Sequence, residues 1–510
     1  MCGISGIWNS FKESKTDLLI KSKSMSDSLL HRGPDDSGLW ANEANSISLS
    51  HRRLSILDLS KTGTQPMISS NKRFILTFNG EIYNHKDLRK DINKEYNYSL
   101  KWRGSSDTET FLEHIQLFGI IKTLDRSNGM FSFGLWDDYE KELFLVRDRF
   151  GEKPLYWGYT HLNNSNGGQT LVFASELSAI FSIQGFQKSI DLKALESYFK
   201  FGYISGNKSI QKGIYHLGPG ELIKIKAGKK GFLNEEIPNP IKWWDSFKKH
   251  NELKEIFSKN YNFEDEDYFT NYLERKLGDV IQEQSNSSDV PLGTFLSGGI
   301  DSTLVTTLLQ KRSTKPIKSF TIRFDGIKDI KDNYDESGFA KKIAHYLGTE
   351  HTEVSVSPSE VLKVIPSIAK VYSEPFSDSS QVPTNIICEN IKSQGISVAL
   401  SGDGADELFG GYNRHLLLPK VNKYFGNMPF YLRKLLVYFL QYYPISKNGL
   451  EVDKFQKLKS SILSAGKIED LYNSVKMIQN YSVNELCIFK EKNSEKVEKY
   501  YCYKTIEESL

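Results

Sequence analysis

At 510 residues the chain is too long for one ordinary core and predicts two or three domains, two being the working count. With 39% hydrophobic and 25% charged residues and a formal net charge of +3, it reads as a folded globular protein, and no basic tract points to a nucleic-acid partner. Its longest apolar stretches are strand-sized, and the opening MCGISGIWNS has neither a basic nor an apolar leader region, so neither membrane spanning nor export is indicated and a cytoplasmic location is expected.

The four cysteines, at 2, 388, 487 and 502, are too few and too scattered for a disulfide framework, and no CxxC pair suggests zinc. Residues 1 to about 200 read as short apolar strands between tight turns: SISLSHRRLSIL, RFILTFNGEIYN, GMFSFGLWDD, KELFLVRD and QTLVFASE. Helical segments around Leu19 to Leu30 and Asp107 to Phe118 lie between them, which predicts an α/β layer sandwich. The stretch Lys226 to Lys242 mixes Gly, Pro, Asn and charge as a connector does, so the expected division is residues 1–210, a connector at 211–250, and a second domain over 251–510.

Cys2 stands in a chemically unusual place. Once Met1 is removed, its thiol and a free α-amine belong to one residue, and an amine of pKa about 7.7 to 8.0 is partly unprotonated near neutrality and can take the thiol proton. Attack of the thiolate on a carboxamide builds negative charge on the carbonyl oxygen, which calls for preorganised donors. The Asn79 amide and the Gly80 backbone N–H, in FNGEIYN, are candidates, although a bare Asn-Gly pair is only a hairpin signal. Arg53 in HRRLSILD and Asp107 in GSSDTET are of the right type to hold a substrate carboxylate and ammonium.

Nine blocks in order, MCGISGIW, HRGPDDSG, HRRLSILDLS, GTQPM, FNGEIYNH, GSSDTET, NGMFSFGLWD, RDRFGEKPLYW and FASELSAI, closely resemble the glutaminase domain of glutamine-hydrolysing asparagine synthetases. The resemblance implies an N-terminal-nucleophile αββα sandwich in which Cys2 forms a glutamyl thioester, Asn79 and Gly80 make the oxyanion hole, and Arg53, Asp107 and Glu81 hold glutamine. It also implies that RDRFGEKPLYW faces a second active site.

From about residue 270, strands alternate with helices, which predicts a doubly wound parallel sheet. The segment VPLGTFLSGGIDSTL runs an apolar strand into a glycine turn and a helix. Gly298 and Gly299 let backbone N–H groups approach an anion, Ser297 and Ser302 add hydroxyls, and the positive end of the helix faces the same place. No GK[ST] is present, so this is not a Walker A loop. SGGxDS is the ATP pyrophosphatase signature, and by this resemblance Leu296, Asp301, Phe324 on the strand Ser319 to Phe324, Ser401 and Gly402 join these residues around ATP. Asp335 and Glu336 sit near a helix start, where capping and a site role are both open.

The strand Ile396 to Leu400 ends in SGDGADE, placing Asp403, Asp406 and Glu407 at the carboxyl edge of the sheet. Carboxylates beside a triphosphate call for a divalent cation, and magnesium held through Asp301 and Asp406 is expected. EPFSDSSQVPT also matches the family, with Asp378 expected near the acceptor pocket. Taken whole, the resemblance implies that ATP activates the side-chain carboxylate of aspartate and that ammonia drawn from glutamine through an internal passage displaces AMP. The oligomeric state stays open, a homodimer being one candidate.

Beyond Tyr412 the match loosens, and the sequence given stops at Leu510 without a helix stop signal although Tyr501, Ile506 and Leu510 recur at helical spacing. Typical family members continue for about 100 residues more, through a lysine-bearing helix and a PFLD-like turn that are not found here. A truncated product, a chain needing a separately encoded partner, and a short relative with a different acceptor remain as explanations. The rival functions are therefore an enzyme reduced to glutaminase activity, one that amidates another carboxylate, and a non-enzymatic regulatory protein.

Overall fold

The computed structural model describes residues 1–95, 100–163, 168–228, 231–234, 236–260, 265–326, 335–440, 442 and 449–476. Tyr501, Ile506 and Leu510, with their predicted helical spacing, lie outside the described residues. Among the described residues no helix is long and apolar enough to cross a membrane.

The N-terminal strands are β1 (Gly3–Asn9), β2 (Asp36–Asn42), β3 (Ile47–Arg53), β4 (Met67–Ile68), β5 (Phe74–Ile82), β6 (Gly129–Asp137), β7 (Glu142–Arg147), β8 (Tyr156–Thr160), β9 (Thr170–Ala174), β10 (Ile214–His216), β11 (Glu221–Lys226) and β12 (Ile241–Lys242). They form two antiparallel six-stranded sheets, of order β10-β8-β9-β1-β3-β2 and β12-β11-β7-β6-β5-β4. Their inner faces meet in one core, where Ile4, Trp8 and Leu49 of the first sheet pack on Ile75, Trp136 and Leu145 of the second. The Trp8 and Trp136 rings meet edge-on at 5.0 Å, a geometry that adds to the burial of two large side chains. Each sheet is covered on its outside. Met25 of helix Lys15–Ser28 and Leu177 of helix Leu177–Phe181 pack with Val172, while Phe111 and Leu112 of helix Asp107–Phe118 pack with Phe78. The four layers explain why β1 is buried along its whole length and shows no polar alternation.

The expected connector at 211–250 is different in the structure. Leu222 to Lys226 pair with β7 and so extend the second sheet, and Ile223 and Ile225 enter its core. Apolar alternation in ELIKIK is a strand signal outweighed in the sequence by its Gly- and Pro-rich flanks.

The C-terminal sheet is parallel throughout, with order β15-β14-β13-β16 for β13 (Leu292–Phe295), β14 (Lys318–Phe324), β15 (Glu350–Val356) and β16 (Val398–Leu400). The chain steps outward from β13 to β15 and then returns to the other side of β13. That reversal opens a crevice beyond the carboxyl ends of β13 and β16, where ligands bind in such sheets. SGGIDS and SGDGADE are the loops that leave those two ends.

Candidate active sites

The first site is assembled where the two antiparallel sheets share one end. Register Gly3↔Arg52 sets Cys2 beside the residues that follow β3, so the Leu54 N–H donates to the Cys2 Sγ at 3.4 Å. Strand β5 brings Asn79, Gly80 and Glu81 to the same end, and Asp107 opens the helix beside them. A pocket of 250 Å³ is lined by all six residues expected from sequence, Cys2, Arg53, Asn79, Gly80, Glu81 and Asp107.

Each is held by a specific device. The Arg53 guanidinium donates to the Ser60 carbonyl at 2.7 Å and to the carbonyls of Leu57 and Asp58. A Cβ on Gly63 would stand 2.1 Å from the Arg53 Nη2, so only glycine leaves room for it. Asp107 accepts from the Ile82 N–H at 2.9 Å and the Thr108 N–H at 2.7 Å. Buried neutral His51 donates to the Phe78 carbonyl, and the Gln65 Oε1 accepts from the Phe78 N–H, fixing the backbone just before Asn79. Asn79 is 1% exposed, and among the described residues neither its carboxamide nitrogen nor its oxygen has a hydrogen-bond partner.

The electrostatics are those of a closed polar pocket. Burial pushes the Cys2 thiol up, against the Leu54 N–H, the chain amine and Lys153, which pull it down. The amine, here that of Met1, is lowered to about 5, chiefly by burial and then by the charges of Arg32 and Lys153. Burial, with the Asp107 charge behind it, raises Glu81 to about 8. Arg32, ion-paired to Glu176 at 2.7 Å, donates to the Cys2 carbonyl at 2.9 Å. Sequence reasoning missed Lys153 and Gln65 in this pocket. The block RDRFGEKPLYW drew attention to the first only for its position toward the other site.

The pocket is not made by one domain alone. Ser397, Val398 and Ala399 of the parallel sheet complete its wall. The loop that clamps Arg53 is also tied across, since the Asp58 N–H donates to Asp289 at 2.9 Å and the Asp289 N–H donates to the Ile56 carbonyl at 2.9 Å. Glu374 of EPFSDSS makes a further bridge, accepting from the Tyr156 hydroxyl at 3.0 Å and the Ile210 N–H at 3.1 Å, with His216 Nε2 at 2.7 Å.

The second site is a cavity of 630 Å³ in the parallel-sheet crevice, lined by Leu296, Ser297, Gly299, Asp301, Ser302, Phe324, Ser401, Gly402, Asp403, Asp406 and Glu407. Gly299 caps helix Ile300–Arg312 with no side-chain bond, so first-turn N–H groups remain for a ligand. Ser302 Oγ accepts from the Ser297 N–H at 3.2 Å, closing the loop on itself. Gly298 is not in the lining. It sits at φ +89° with Phe339 and Ala340 behind it, so it shapes the turn. Glu336 lines the cavity while Asp335 accepts from the Ser337 N–H at 3.0 Å, which divides the site and capping roles between the two. Asp378 accepts from the Ser380 N–H at 2.8 Å in an exposed turn and is not in the lining.

Among the described residues no group of three or more His, Cys, Asp or Glu side chains is close enough to hold a metal ion. Asp403 accepts from the Ser401 hydroxyl and Glu407 from the Tyr412 hydroxyl, and the carboxylates of Asp301, Glu336 and Asp406 line the cavity beside them. A sparse, all-oxygen donor set of this kind fits magnesium that arrives on nucleotide phosphates better than a dedicated protein cage.

Residues 1–234 match the model of a glutamine amidotransferase domain, and residues 273–494 that of asparagine synthase. Glutamine-hydrolyzing asparagine synthetase 1 of Bacillus subtilis is 31% identical over 454 residues, 88% of this chain and 65% of that protein. Putative glutamine-hydrolyzing asparagine synthetase 2 of Methanocaldococcus jannaschii is 32% identical over 82% of this chain and 76% of its own length. Glutamine-hydrolyzing asparagine synthetase B of Escherichia coli is 30% identical, with 81% of this chain and 65% of that protein covered. The chain thus spans a little under two thirds of the Bacillus and Escherichia relatives. A solved glutamine phosphoribosylpyrophosphate amidotransferase from Bacillus subtilis covers 81% of this chain and 94% of its own at 14% identity, with a TM-score of 0.34, too low to bear on the fold. The chain belongs to the family of glutamine-hydrolysing asparagine synthetases.

Proposed function

We propose that the chain is a two-site ligase in which ammonia released from glutamine at Cys2 amidates an adenylated aspartate in the second cavity. The observation that carries the reading is the placement of β16. Residues 397–399 line the first pocket and 401–404 line the second, so the nearest lining residues are two apart, about 7 Å of extended chain at 3.3 Å per residue. Ammonia crossing such a distance inside protein would escape protonation by bulk water.

With Met1 removed, the Cys2 amine takes the thiol proton as sulfur attacks the glutamine carboxamide carbon. The unpartnered Asn79 amide and the Gly80 N–H are donors for the oxygen that gains charge. The proton passes to the leaving nitrogen, ammonia departs, and water then cleaves the thioester to glutamate. Arg53 suits the substrate carboxylate, while Asp107 and Glu81 suit its ammonium.

In the second cavity the aspartate carboxylate oxygen attacks the α-phosphorus of ATP, and pyrophosphate leaves toward the Ser297–Ser302 loop and the helix N-terminus. Ammonia then attacks the acyl carbon, AMP leaves, and asparagine forms. Asp301 and Asp406 would hold magnesium, which would supply charge neutralisation for the departing pyrophosphate.

The test is incubation of purified protein with glutamine, ATP, magnesium and aspartate while glutamate, pyrophosphate and asparagine are followed separately. Stoichiometric release of all three is expected. Glutamate without pyrophosphate would leave only the glutaminase half. Asparagine absent while pyrophosphate and glutamate both form would point to another carboxylate as acceptor. Cys2→Ala is expected to abolish glutamate release and to spare synthesis from added ammonia.

A further inference from the structure

The turn between β7 and β8 is held by two charged side chains, the buried Asp148 and the half-buried Arg147. Asp148, 0% exposed, accepts from the N–H groups of Phe131, Phe150, Glu152 and Lys153 at 2.9 to 3.2 Å. Arg147 donates from the other side to the carbonyls of Gly151, Lys153 and Leu217 at 2.6 to 2.8 Å. Residue 153 is therefore gripped at both its N–H and its C=O. What the turn presents is the Lys153 side chain, 6% exposed and lining the same 250 Å³ pocket as Cys2. Among the described residues it has neither an ion-pair nor a hydrogen-bond partner for its ammonium. A buried cation without a counter-ion is costly, so a turn built to hold one points to an anion that forms there during reaction.

We propose that Lys153, which shares the glutamine pocket with the carbonyl-clamped Arg53, is kept unpaired so that it stabilises the sulfur anion of Cys2. The inference rests on the reading of Cys2 as the nucleophile. Several other charges face the same space. Arg32 lies beside the Cys2 carbonyl, Arg53, Glu81 and Asp107 line the same pocket, Glu152 belongs to the turn itself, Lys392 acts on the chain amine, and Asp289 acts on Glu81. Burial raises both carboxyl groups and the Cys2 thiol and lowers Lys153 itself, and the Asp107 carboxylate is taken up by the Ile82 and Thr108 N–H groups rather than by Lys153. The same cation opposes protonation of the chain amine, here that of Met1. Lys153 acts through Cys2 and is a positioning residue for charge.

The test compares full-length wild type, Lys153→Met and Lys153→Arg, with Met1 removal checked by mass. Two rates are followed against pH: alkylation of Cys2 by iodoacetamide, which needs no turnover, and kcat/KM for glutamate release. Lys153→Met is expected to move the acid limb of both profiles up by about one pH unit and to lower the rate near pH 7 about tenfold. Lys153→Arg is expected to restore both. A Lys153→Met alkylation profile that overlays the wild type overturns the proposal, as does a rise in KM with no shift, which would make Lys153 a substrate-carboxylate contact. Wild-type protein that alkylates at Cys2 with the lysine-dependent profile yet releases no glutamate would overturn the nucleophile reading and leave the electrostatic role of Lys153 standing.

Discussion

Asn79→Ala separates catalysis from stability in a way few substitutions do. The Asn79 carboxamide is buried within β5, yet among the described residues neither of its polar atoms has a hydrogen-bond partner. An unmet buried polar group costs about 1 to 3 kcal/mol, and truncation removes that cost. Against it stands the loss of packing around a small pocket-lining side chain, about 1 kcal/mol by the burial of a methylene-sized group. The net expectation is a change between no effect and a gain of about 2 kcal/mol, read as the urea midpoint of unfolding at unchanged slope. The same truncation deletes a donor for the developing oxyanion, for which a loss of about 10² to 10³ in kcat for glutamate release is the usual consequence. Purified variants assayed by both methods give the answer. A variant less stable by more than about 2 kcal/mol would mean that the carboxamide is bonded to protein in the native state, and an unchanged kcat would remove Asn79 from the oxyanion site.

Three further outcomes follow from the geometry. Glu81, raised to about 8, is neutral at pH 7, and its folded value lies above its ordinary 4.5, so it costs stability progressively as pH rises from 4.5 through 8. Binding of a glutamine ammonium would ionise it, so calorimetry in buffers of different ionisation enthalpy should detect proton release near pH 7 that Glu81→Gln abolishes. Removing the Asp289 acceptor from the Asp58 N–H, as in Asp289→Ala, is expected to raise the glutamine KM about threefold to tenfold with kcat nearly unchanged, and Asp289→Asn should recover most of it. In Gly402→Ala the new Cβ would lie 2.8 Å from the Asp301 Cβ and 2.9 Å from the Ser302 N, so pyrophosphate release should collapse while glutamate release persists.

Local signals carried much of this reading. Asp107–Phe118 was legible as a helix, which the structure starts at the Ser106 cap, and the strand bearing Asn79 and the one entering SGGIDS were legible as apolar runs punctuated by turn glycines. Residues of the first pocket could be named from motif resemblance, and the fold does bring them together. Features made by distant segments were not legible. The alternation of β11 is masked by Gly- and Pro-rich flanks until it pairs with the edge of β7, and the two-residue β12 is a strand through its pairing with β11. The bond between Asp58 and Asp289 joins residues 231 apart, and nothing in either neighbourhood announces it. Gly298 shows the opposite failure, a residue whose motif suggested ligand contact but whose backbone conformation makes the turn itself.

The two sites share more than a strand. The parallel sheet contributes to the glutamine pocket through residues 397–399, and through Asp289 it is tied to the loop whose carbonyls clamp Arg53. From Asp289 the chain enters β13 within three residues and leaves it in the SGGIDS loop. The Gly402 backbone closes on Asp301 and Ser302 from the far end of β16. Short, stiff strands pinned at both ends carry a displacement with little attenuation, because packed interiors deform poorly. Were the second cavity to bind a nucleotide as proposed, a shift of β13 or β16 would meet the glutamine pocket at its wall and at its Arg53 loop. The Glu374 bridge to Tyr156 and Ile210 restrains the same interface from another side and limits how far the two units can separate.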